Sequence, residues 1–317
     1  MDRLLPGKGK TIGVLGAPLG FGAATVGSEL GASAMRLTKF RGASLFDHLK
    51  SLGYAVSDHG NASIVVPVCS PDEMENPKYF DEVVDSCENI SFAVRKVLEA
   101  GHVPLILGGD HTIAAGSLSG ISTHFKESDQ EIGLIWLDAH ADMNTHKTSL
   151  SGNAHGMPFS AVLGHGHKRL TGIEGDHVKF SKEYVAHIGA RDLDKAEKEL
   201  IHELGLVDHF FTMSRIDREG MAKCVSEAIE IASKAPGGFA VTFDVDVIDP
   251  RFAPGSGTLV RGGITYREAH LALEMIHEAG GMQSFEIVEV NPILDQGNVT
   301  AEVACELILS AFGNVVL

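Results

Sequence analysis

Acidic residues and histidines that could bind metal ions are concentrated in three short segments of the sequence. The segments are 108–111, 138–142 and 244–246, and a short apolar run precedes each of them. Carboxylates and imidazoles together form the mixed oxygen and nitrogen ligand set that suits Mn²⁺, Co²⁺, Ni²⁺ or Zn²⁺. The candidate ligands are His111, Asp138, His140, Asp142, Asp244 and Asp246.

The spacing within 138–142 strengthens this interpretation. Alternate residues of an extended segment point to the same side, so Asp138, His140 and Asp142 would face one place. A single Asp at a strand end is usually a helix N-cap or a turn former, but that role does not explain the whole pattern. Four carboxylates in one cavity would repel one another unless cations neutralise them. We therefore predict two divalent ions that share carboxylates and can hold a bridging hydroxide as nucleophile.

Short apolar runs alternate with longer amphipathic segments along the chain. This alternation predicts a parallel sheet with helices on both faces, and the carboxyl ends of such strands converge on one crevice. The three ligand segments are expected to meet there, and the polar segment 144–153 is predicted to be a long functional loop. Strands are predicted at 11–15, 103–107, 132–137, 184–189, 239–243 and 285–290, and helices at 81–100, 194–204 and 299–311.

Composition limits the classes of protein that the sequence can encode. The chain has 317 residues and a formal net charge of -16, which disfavours nucleic acids and anionic membranes as partners. The segment 1–8 has no apolar core typical of a signal peptide, and no run of 18 apolar residues is present. We expect a cytoplasmic protein with one domain over residues 1–317 and no disulfide framework. Its widely spaced cysteines are Cys69, Cys87, Cys224 and Cys305.

Seven blocks in the sequence resemble the arginase-like ureohydrolases and occur in the order found in that family. The resemblance runs from about Ile12 to Phe312 and implies a three-layer αβα fold with a mostly parallel central sheet of about eight strands. It also implies hydrolysis of the guanidino group of L-arginine to L-ornithine and urea, by attack of a metal-bridging hydroxide. The blocks are GGDHT (108–112), DAHADMNT (138–145), SGNAHGMP (151–158), IGARDLD (188–194), FDVDVIDP (243–250), GGITYRE (262–268) and EIVEVNP (286–292).

The resemblance also implies roles for individual residues of the metal site. It implies two Mn²⁺ ions per subunit, with Co²⁺ or Ni²⁺ as alternatives, and bridging roles for Asp138 and Asp244. One ion would be bound by His111, Asp138, Asp142 and Asp244, and the other by Asp138, His140, Asp244 and Asp246.

Three residues are implied to act in the reaction itself. His155 matches a histidine that shuttles a proton, and Glu289 matches the carboxylate that binds the substrate guanidinium. This role suits a carboxylate, because a guanidinium is planar and always cationic and pairs with it bidentately. Asp142 is assigned to the catalytic residues as well as to the ligands, and Thr258 is predicted to line the pocket.

The far end of the substrate is implied to lie between a polar loop and a helix start. Asn144, Ser151 and Asn153 match residues that contact an α-carboxylate, and Asp194 and Glu197 match residues near an α-amino group. These matches favour arginine as the substrate.

Some positions depart from the family pattern. The segment 21–27 has no arginine, Glu286 stands where Asp is common, and Arg261 follows the block that contains Thr258. We interpret Arg261 as a solvated loop cation, with a contact to a substrate carboxylate as the alternative. Such changes would affect the substrate tail or a subunit interface rather than the chemistry.

Other functions are compatible with the same pattern. Within the family they are agmatinase, another guanidino-acid ureohydrolase and formiminoglutamase, and outside it a deacetylase with this fold. A protein that binds metal without catalysis is the alternative from a different class. The family is usually trimeric or hexameric, so we expect a homotrimer or homohexamer that acts on a small guanidino molecule.

Overall fold

The structure is a computed structural model that describes residues 9–70 and 77–315, so the segment 1–8 and both ends of the predicted domain 1–317 lie outside it. Its strands are β1 (Thr11–Ala17), β2 (Lys39–Phe40), β3 (Ala43–Ser44), β4 (Ala55–Asn61), β5 (Val103–Gly108), β6 (Gly133–Leu137), β7 (Val185–Ile188), β8 (Phe210–Phe211), β9 (Phe239–Asp244) and β10 (Met282–Val288). Its helices are α1 (Gly31–Leu37), α2 (Leu45–Ser51), α3 (Phe80–Glu99), α4 (Ile113–Lys126), α5 (Pro158–Val162), α6 (Lys168–Thr171), α7 (Lys195–Leu204), α8 (Met213–Glu219), α9 (Met221–Ala232), α10 (Tyr266–Ala279) and α11 (Val299–Ala311).

Eight strands form the central sheet, in the order β4-β1-β5-β10-β9-β6-β7-β8. Every neighbouring pair in this sheet is parallel, as the alternation of strands and helices predicted. The strands β5, β10, β9 and β6 lie side by side in its middle. Their carboxyl ends therefore form one continuous edge, which is where the ligand segments begin.

The buried side chains form a separate hydrophobic cluster on each face of the sheet. On β6, Ile135 and Leu137 belong to one cluster, whereas Leu134 and Trp136 belong to the other. This division follows from the period of two in a strand, and it explains why a strand covered on both faces is apolar throughout. The first cluster also contains residues of α1, α2, α9, α10 and α11, and the second contains residues of α3, α4, α5 and α7. The three-layer αβα prediction is confirmed.

Three of the elements that the sequence pattern did not indicate, β4, β8 and α4, have features that explain why. The edge strand β4 has the sequence AVSDHGN and is largely exposed, so it lacks an apolar run. The strand β8 has only two residues. Helix α4 is rich in small residues because it packs closely on α3, and a Cβ on Gly116 would lie 2.3 Å from the carbonyl oxygen of Cys87.

One strand boundary differs from the prediction in a way that matters for the site. The strand β10 begins at Met282 and ends at Val288, rather than covering 285–290. Glu289 therefore lies just after the strand, with a φ of 63°. A positive φ is uncommon for a residue other than glycine and is often found near functional sites.

Two further features concern the described part of the chain as a whole. Its helices include none with both the length and the apolar content needed to span a membrane. The four cysteines are free thiols, and only Cys69 among them is exposed.

Gly109, after β5, should be intolerant of substitution. A Cβ at this position would lie 1.8 Å from the carbonyl oxygen of Leu19, and the carbonyl of Gly109 accepts a hydrogen bond from the amide of Glu289 at 2.8 Å. We expect Gly109→Ala to lower the free energy of unfolding by about 1–3 kcal/mol, because the backbone must shift. Urea unfolding measures this loss. In the control Gly257→Ala, the nearest atom lies at 3.6 Å, and a loss as large as that of Gly109→Ala would contradict the steric explanation.

Candidate metal centre

The three predicted ligand segments meet at the carboxyl edge of the sheet. His111 follows β5, Asp138 directly follows β6, and Asp244 is the last residue of β9. The side chains of all six predicted ligands are buried, except that His140 is partly exposed. The prediction that segments distant in sequence converge in space is therefore confirmed.

His111, Asp138 and Asp142 form a first group of potential ligands, whose ligand atoms all lie within 4.8 Å of one another. The Nδ1 atom of His111 lies 3.0 Å from Asp138 Oδ2 and 3.1 Å from Asp142 Oδ2. Asp244 Oδ2 lies 3.2 Å from the same nitrogen, so this carboxylate borders the first group.

Asp138, His140 and Asp246 form a second group under the same distance limit. The Nδ1 atom of His140 lies 3.1 Å from Asp246 Oδ2 and 3.4 Å from Asp138 Oδ1. Asp138 belongs to both groups and turns a different oxygen to each imidazole. This is the arrangement that a carboxylate bridging two ions requires.

The chemistry of the donor atoms fits divalent cations. His111 Nδ1 and Asp142 Oδ2 are buried without a hydrogen-bond partner among the described residues, although buried polar atoms normally have one. Burial and the carboxylate of Asp138 hold the pKa of Asp142 well above its usual range. Burial and the carboxylate of Asp246 do the same for the pKa of Asp244. A cation would remove this repulsion and would complete the coordination of both unpaired atoms.

Surrounding groups that the sequence analysis did not identify orient the potential ligands. The Nε2 atom of His111 lies 2.9 Å from the hydroxyl of Thr242, whose position on β9 pairs with Glu286 on β10. Glu286 is buried and accepts a hydrogen bond from Ser117. His187 on β7 contacts the carbonyl of His140 at 2.7 Å through Nε2. Such outer groups fix the orientation of metal-binding imidazoles. Among these residues only Glu286 lies in one of the seven blocks, and the sequence pattern did not predict this role for it.

His155 and Glu289 form a pair beside the first group. The Nδ1 atom of His155 lies 3.0 Å from Glu289 Oε1, which also accepts a hydrogen bond of 3.0 Å from the amide of His111. Burial lowers the pKa of His155, but the hydrogen bond and charge of Glu289 outweigh it and raise this pKa to about 9. Asp110 is buried nearby and accepts a hydrogen bond from the amide of Ala23 at 3.0 Å. The sequence analysis did not assign a role to Asp110, although it lies within the block GGDHT.

A cavity of about 210 Å³ opens onto both groups. Among the predicted substrate residues, Ser151 and Asn153 are not part of its lining, and the hydroxyl of Ser151 instead accepts a hydrogen bond from the amide of Asn153 at 3.2 Å. Glu289 lies behind His155 and is likewise outside the lining, whereas Asp192 belongs to it without having been predicted. The lining residues are His111, His140, Asp142, Asn144, His155, Gly156, Asp192, Asp194, Glu197, Asp244 and Thr258.

Two acids of the cavity lining also lie at the start of a helix. Asp194 is the N-cap of α7 and exchanges hydrogen bonds with Glu197 in a capping box. Asp194 also accepts a hydrogen bond of 2.8 Å from the side-chain amide of Asn144, and Glu197 accepts one of 3.2 Å from the backbone amide of Met143. Burial raises the pKa of Glu197 to about 7. Helix capping therefore fixes the position of two carboxylates that face the cavity.

The 258–261 loop is anchored through one residue that the sequence analysis missed. The hydroxyl of Thr258 donates a hydrogen bond of 3.1 Å to Asp246 Oδ2. The guanidinium of Arg191 donates hydrogen bonds of 2.6 Å to the carbonyl of Asp246 and 2.8 Å to that of Val260. Arg261 is exposed, in accordance with its interpretation as a solvated loop cation.

Metal removal should destabilise the folded protein. An ion that binds the folded state alone stabilises it by about 2.7 kcal/mol at a free concentration of 100 times its Kd. We expect a higher melting temperature with Mn²⁺ than after treatment with EDTA, because ions neutralise the buried carboxylates. Differential scanning calorimetry measures this shift, with an equal concentration of Mg²⁺ as the control for ionic strength. Equal melting temperatures under all three conditions would contradict the metal centre.

Comparison with known proteins identifies the family to which a chain with this fold and site belongs. An arginase from Brevibacillus brevis is 46% identical over 308 residues, which cover 97% of this chain and 99% of the relative. An arginase from Bacillus subtilis (strain 168) is 44% identical with the same coverage. The solved native structure of the arginase from Bacillus caldovelox has a TM-score of 0.90 at 41% identity, covering 97% of this chain and 100% of the other. A family model described as the arginase family matches residues 10–313, and the chain belongs to this family.

Proposed function

We propose that this protein is a metal-dependent amidinohydrolase that converts L-arginine and water into L-ornithine and urea. The observation that carries the proposal is the pair of ligand groups sharing Asp138, beside a cavity whose lining includes members of both groups together with Asp194 and Glu197. We propose Mn²⁺ for both groups, with Co²⁺ or Ni²⁺ as alternatives, because the mixed oxygen and nitrogen donors suit these ions. Two bound ions would supply Lewis acidity and a nucleophile derived from water at neutral pH.

Besides binding the ions, the six candidate ligands would hold them in fixed positions relative to the substrate. Asp142 belongs to the first ligand group and also lines the cavity, so we assign it to the catalytic residues as well. Asp244 lies close to His111 and is held by a hydrogen bond of 2.8 Å from the amide of Asp246 to its Oδ1. Oriented ligands of this kind reduce the reorganisation that the reaction needs.

His155 and Glu289 would bind the guanidinium and supply the proton that the leaving amine requires. A carboxylate can form bidentate hydrogen bonds with a planar guanidinium, and Glu289 is buried beside the first ligand group. Arrival of the guanidinium would compete with His155 for Glu289. His155 would then be free to deliver its proton to the departing nitrogen, which prevents the amine from leaving as an anion.

The cavity lining supports an amino acid rather than a simple amine as substrate. The carboxyl groups of Asp194 and Glu197 would accept hydrogen bonds from an α-ammonium group. The side-chain amide of Asn144, which already donates one hydrogen bond to Asp194, would offer its second N–H to an α-carboxylate. Ser151 and Asn153 lie on the turn beyond Asn144, where we propose that they contact the carboxylate once the substrate is bound. Thr258 would line the same cavity beside Asp246, to which its hydroxyl donates a hydrogen bond.

Three further proposals concern the protein as a whole. From the family resemblance we propose assembly into a homotrimer or homohexamer. From the sequence pattern we propose a cytoplasmic location and one domain over residues 1–317.

A substrate panel tests the proposed activity. Protein incubated with Mn²⁺ is assayed with arginine, agmatine, 4-guanidinobutanoate and formiminoglutamate, and urea and formamide are measured separately. We expect urea from arginine, with a kcat/KM well above that for agmatine, because only arginine has the carboxylate that Asn144, Ser151 and Asn153 would contact. Preference for agmatine or 4-guanidinobutanoate would replace arginine as the substrate, and formamide release would indicate formiminoglutamase. Absence of turnover on the whole panel would favour metal binding without catalysis.

A further inference from the structure

Trp136, the only tryptophan of the chain, is packed against the first ligand group. Its ring is stacked on that of His111, with centroids 4.3 Å apart and an interplanar angle of 18°. On its other face it is stacked on Phe159 of α5, with centroids 4.8 Å apart and an angle of 19°. The indole is therefore in ring contact with both residues, and its direct contact with His111 restricts the orientation of that imidazole.

The same indole also contacts the carboxylate shared by both groups. The Nε1–H of Trp136 donates a hydrogen bond of 3.0 Å to Asp138 Oδ2. The other oxygen, Oδ1, accepts a hydrogen bond of 2.7 Å from the amide of His140. Each oxygen of Asp138 therefore has one N–H donor and one neighbouring imidazole, His111 for Oδ2 and His140 for Oδ1.

The two N–H donors limit the directions from which an ion can approach the carboxylate of Asp138. A carboxylate oxygen has about two lone-pair directions, so one donor on each leaves one direction for an ion. The donor to Oδ1 is part of the backbone and is present with any side chain at position 140. The donor to Oδ2 depends on the indole alone, because a phenyl ring could stack on His111 but could not donate a hydrogen bond.

We propose that Trp136 is a positioning residue for the metal centre, which orients Asp138 Oδ2 through its N–H and His111 through its ring. Both contacts act on the first ligand group, so Trp136 selectively strengthens the binding of the ion held there. This inference rests on the proposed metal centre, and outer contacts to metal ligands typically contribute about 10–100-fold in affinity.

Replacement of Trp136 by β-(3-benzothienyl)alanine provides the sharpest test. This analogue keeps the size of the bicyclic ring and replaces the N–H with sulfur. Incorporation in place of tryptophan throughout the chain changes only position 136. The variant Trp136→Phe removes the same donor with ordinary amino acids. The matched control is Phe159→Leu, which perturbs the other side of the stack but leaves the indole and its hydrogen bond in place.

The measurement is the Kd of each of two Mn²⁺ ions, determined by equilibrium titration with electron paramagnetic resonance of free Mn²⁺. We expect both Trp136 replacements to raise the Kd of one Mn²⁺ ion by about 10-fold or more and the Kd of the other by less than about twofold. Phe159→Leu should leave both constants within about twofold of wild type, even if it lowers the melting temperature. Wild-type affinity for both ions in the benzothienyl protein would overturn the role of the N–H.

Two further outcomes complete the test. If Phe159→Leu raises the Kd of one ion as much as the Trp136 replacements do, general packing explains the loss of affinity and the proposal is wrong. If the wild-type protein takes up no Mn²⁺, the proposed metal centre itself is wrong, and the positioning role fails with it. If Trp136→Phe does not fold, the benzothienyl protein decides the question, because its ring has nearly the same volume.

Discussion

Asp138→Asn should abolish tight binding of both metal ions and lower kcat/KM for arginine by at least about 10³-fold. Asp138 is the one residue common to both ligand groups, so its loss affects both ions. In the asparagine variant, an NH2 group would replace one carboxylate oxygen. This NH2 group would face either the indole N–H of Trp136 or the backbone N–H of His140, and two donors cannot form a hydrogen bond with each other. A metal pair stabilises the transition state by several kcal/mol, and each 1.36 kcal/mol corresponds to a tenfold rate change. Metal content by atomic emission and steady-state kinetics measure the two effects.

A comparison with Asp246→Asn makes this prediction specific. Asp246 belongs to the second group alone, so we expect this variant to retain one ion per chain. Circular dichroism should confirm that both variants are folded. Retention of both ions by Asp138→Asn would exclude a shared ligand, and equal losses in the two variants would show that the groups are not separable.

His155→Ala should retain both ions but lower kcat by about 10²–10⁴-fold, the usual contribution of a positioned acid or base. His155 contacts Glu289 rather than any of the carboxylates that form the two groups. Its pKa, raised to about 9, means that the proton is present at neutral pH and is lost as the pH rises through about 9. Because Glu289 raises this pKa in the protein without substrate, the pKa should appear in kcat/KM. We expect kcat/KM to fall as the pH rises through about 9 in the wild type but not in the variant.

The control for His155→Ala is another histidine in the same part of the chain. His165 follows α5 and lies outside the cavity lining, so His165→Ala should have wild-type kcat and metal content. A kcat for His155→Ala within about threefold of wild type at neutral pH would remove His155 from the mechanism, because proton transfer contributes far more. Loss of metal in this variant would instead indicate a structural role.

The sequence was most informative where one local pattern had one physical explanation. The apolar runs that became β5, β6 and β9 indicated buried parallel strands, because a strand covered on both faces needs apolar residues throughout. It was least informative about β4, whose exposed polar residues resemble a loop. It also did not indicate the end of β10, where Val288 is the last strand residue and Glu289 has a positive φ.

The substrate end of the site shows a similar limit. The sequence resemblance implied that Asp194 and Glu197 lie near an α-amino group, which stays a prediction. The structure adds the capping box that fixes both side chains at the start of α7. Asp192 was missed, and its position in the block IGARDLD was the only available signal. The hydrogen bonds of Arg191 to backbone carbonyls could not be predicted, because carbonyl acceptors have no sequence signature.

The sequence by itself determined the identity of the candidate ligands and the side of the sheet on which they lie. The convergence of parallel strand ends is a topological rule, so it needs no coordinates. The further premise that 138–142 is extended is wrong, because the chain bends at Ala139 and His140 and Asp142 has a φ of 51°. Only the tertiary structure decided that Asp138 directs one oxygen to each imidazole, that Trp136 supports it, and that His155 pairs with Glu289. These features depend on the relative rotation and spacing of elements far apart in the chain, and packing of the whole sheet and its helices sets both.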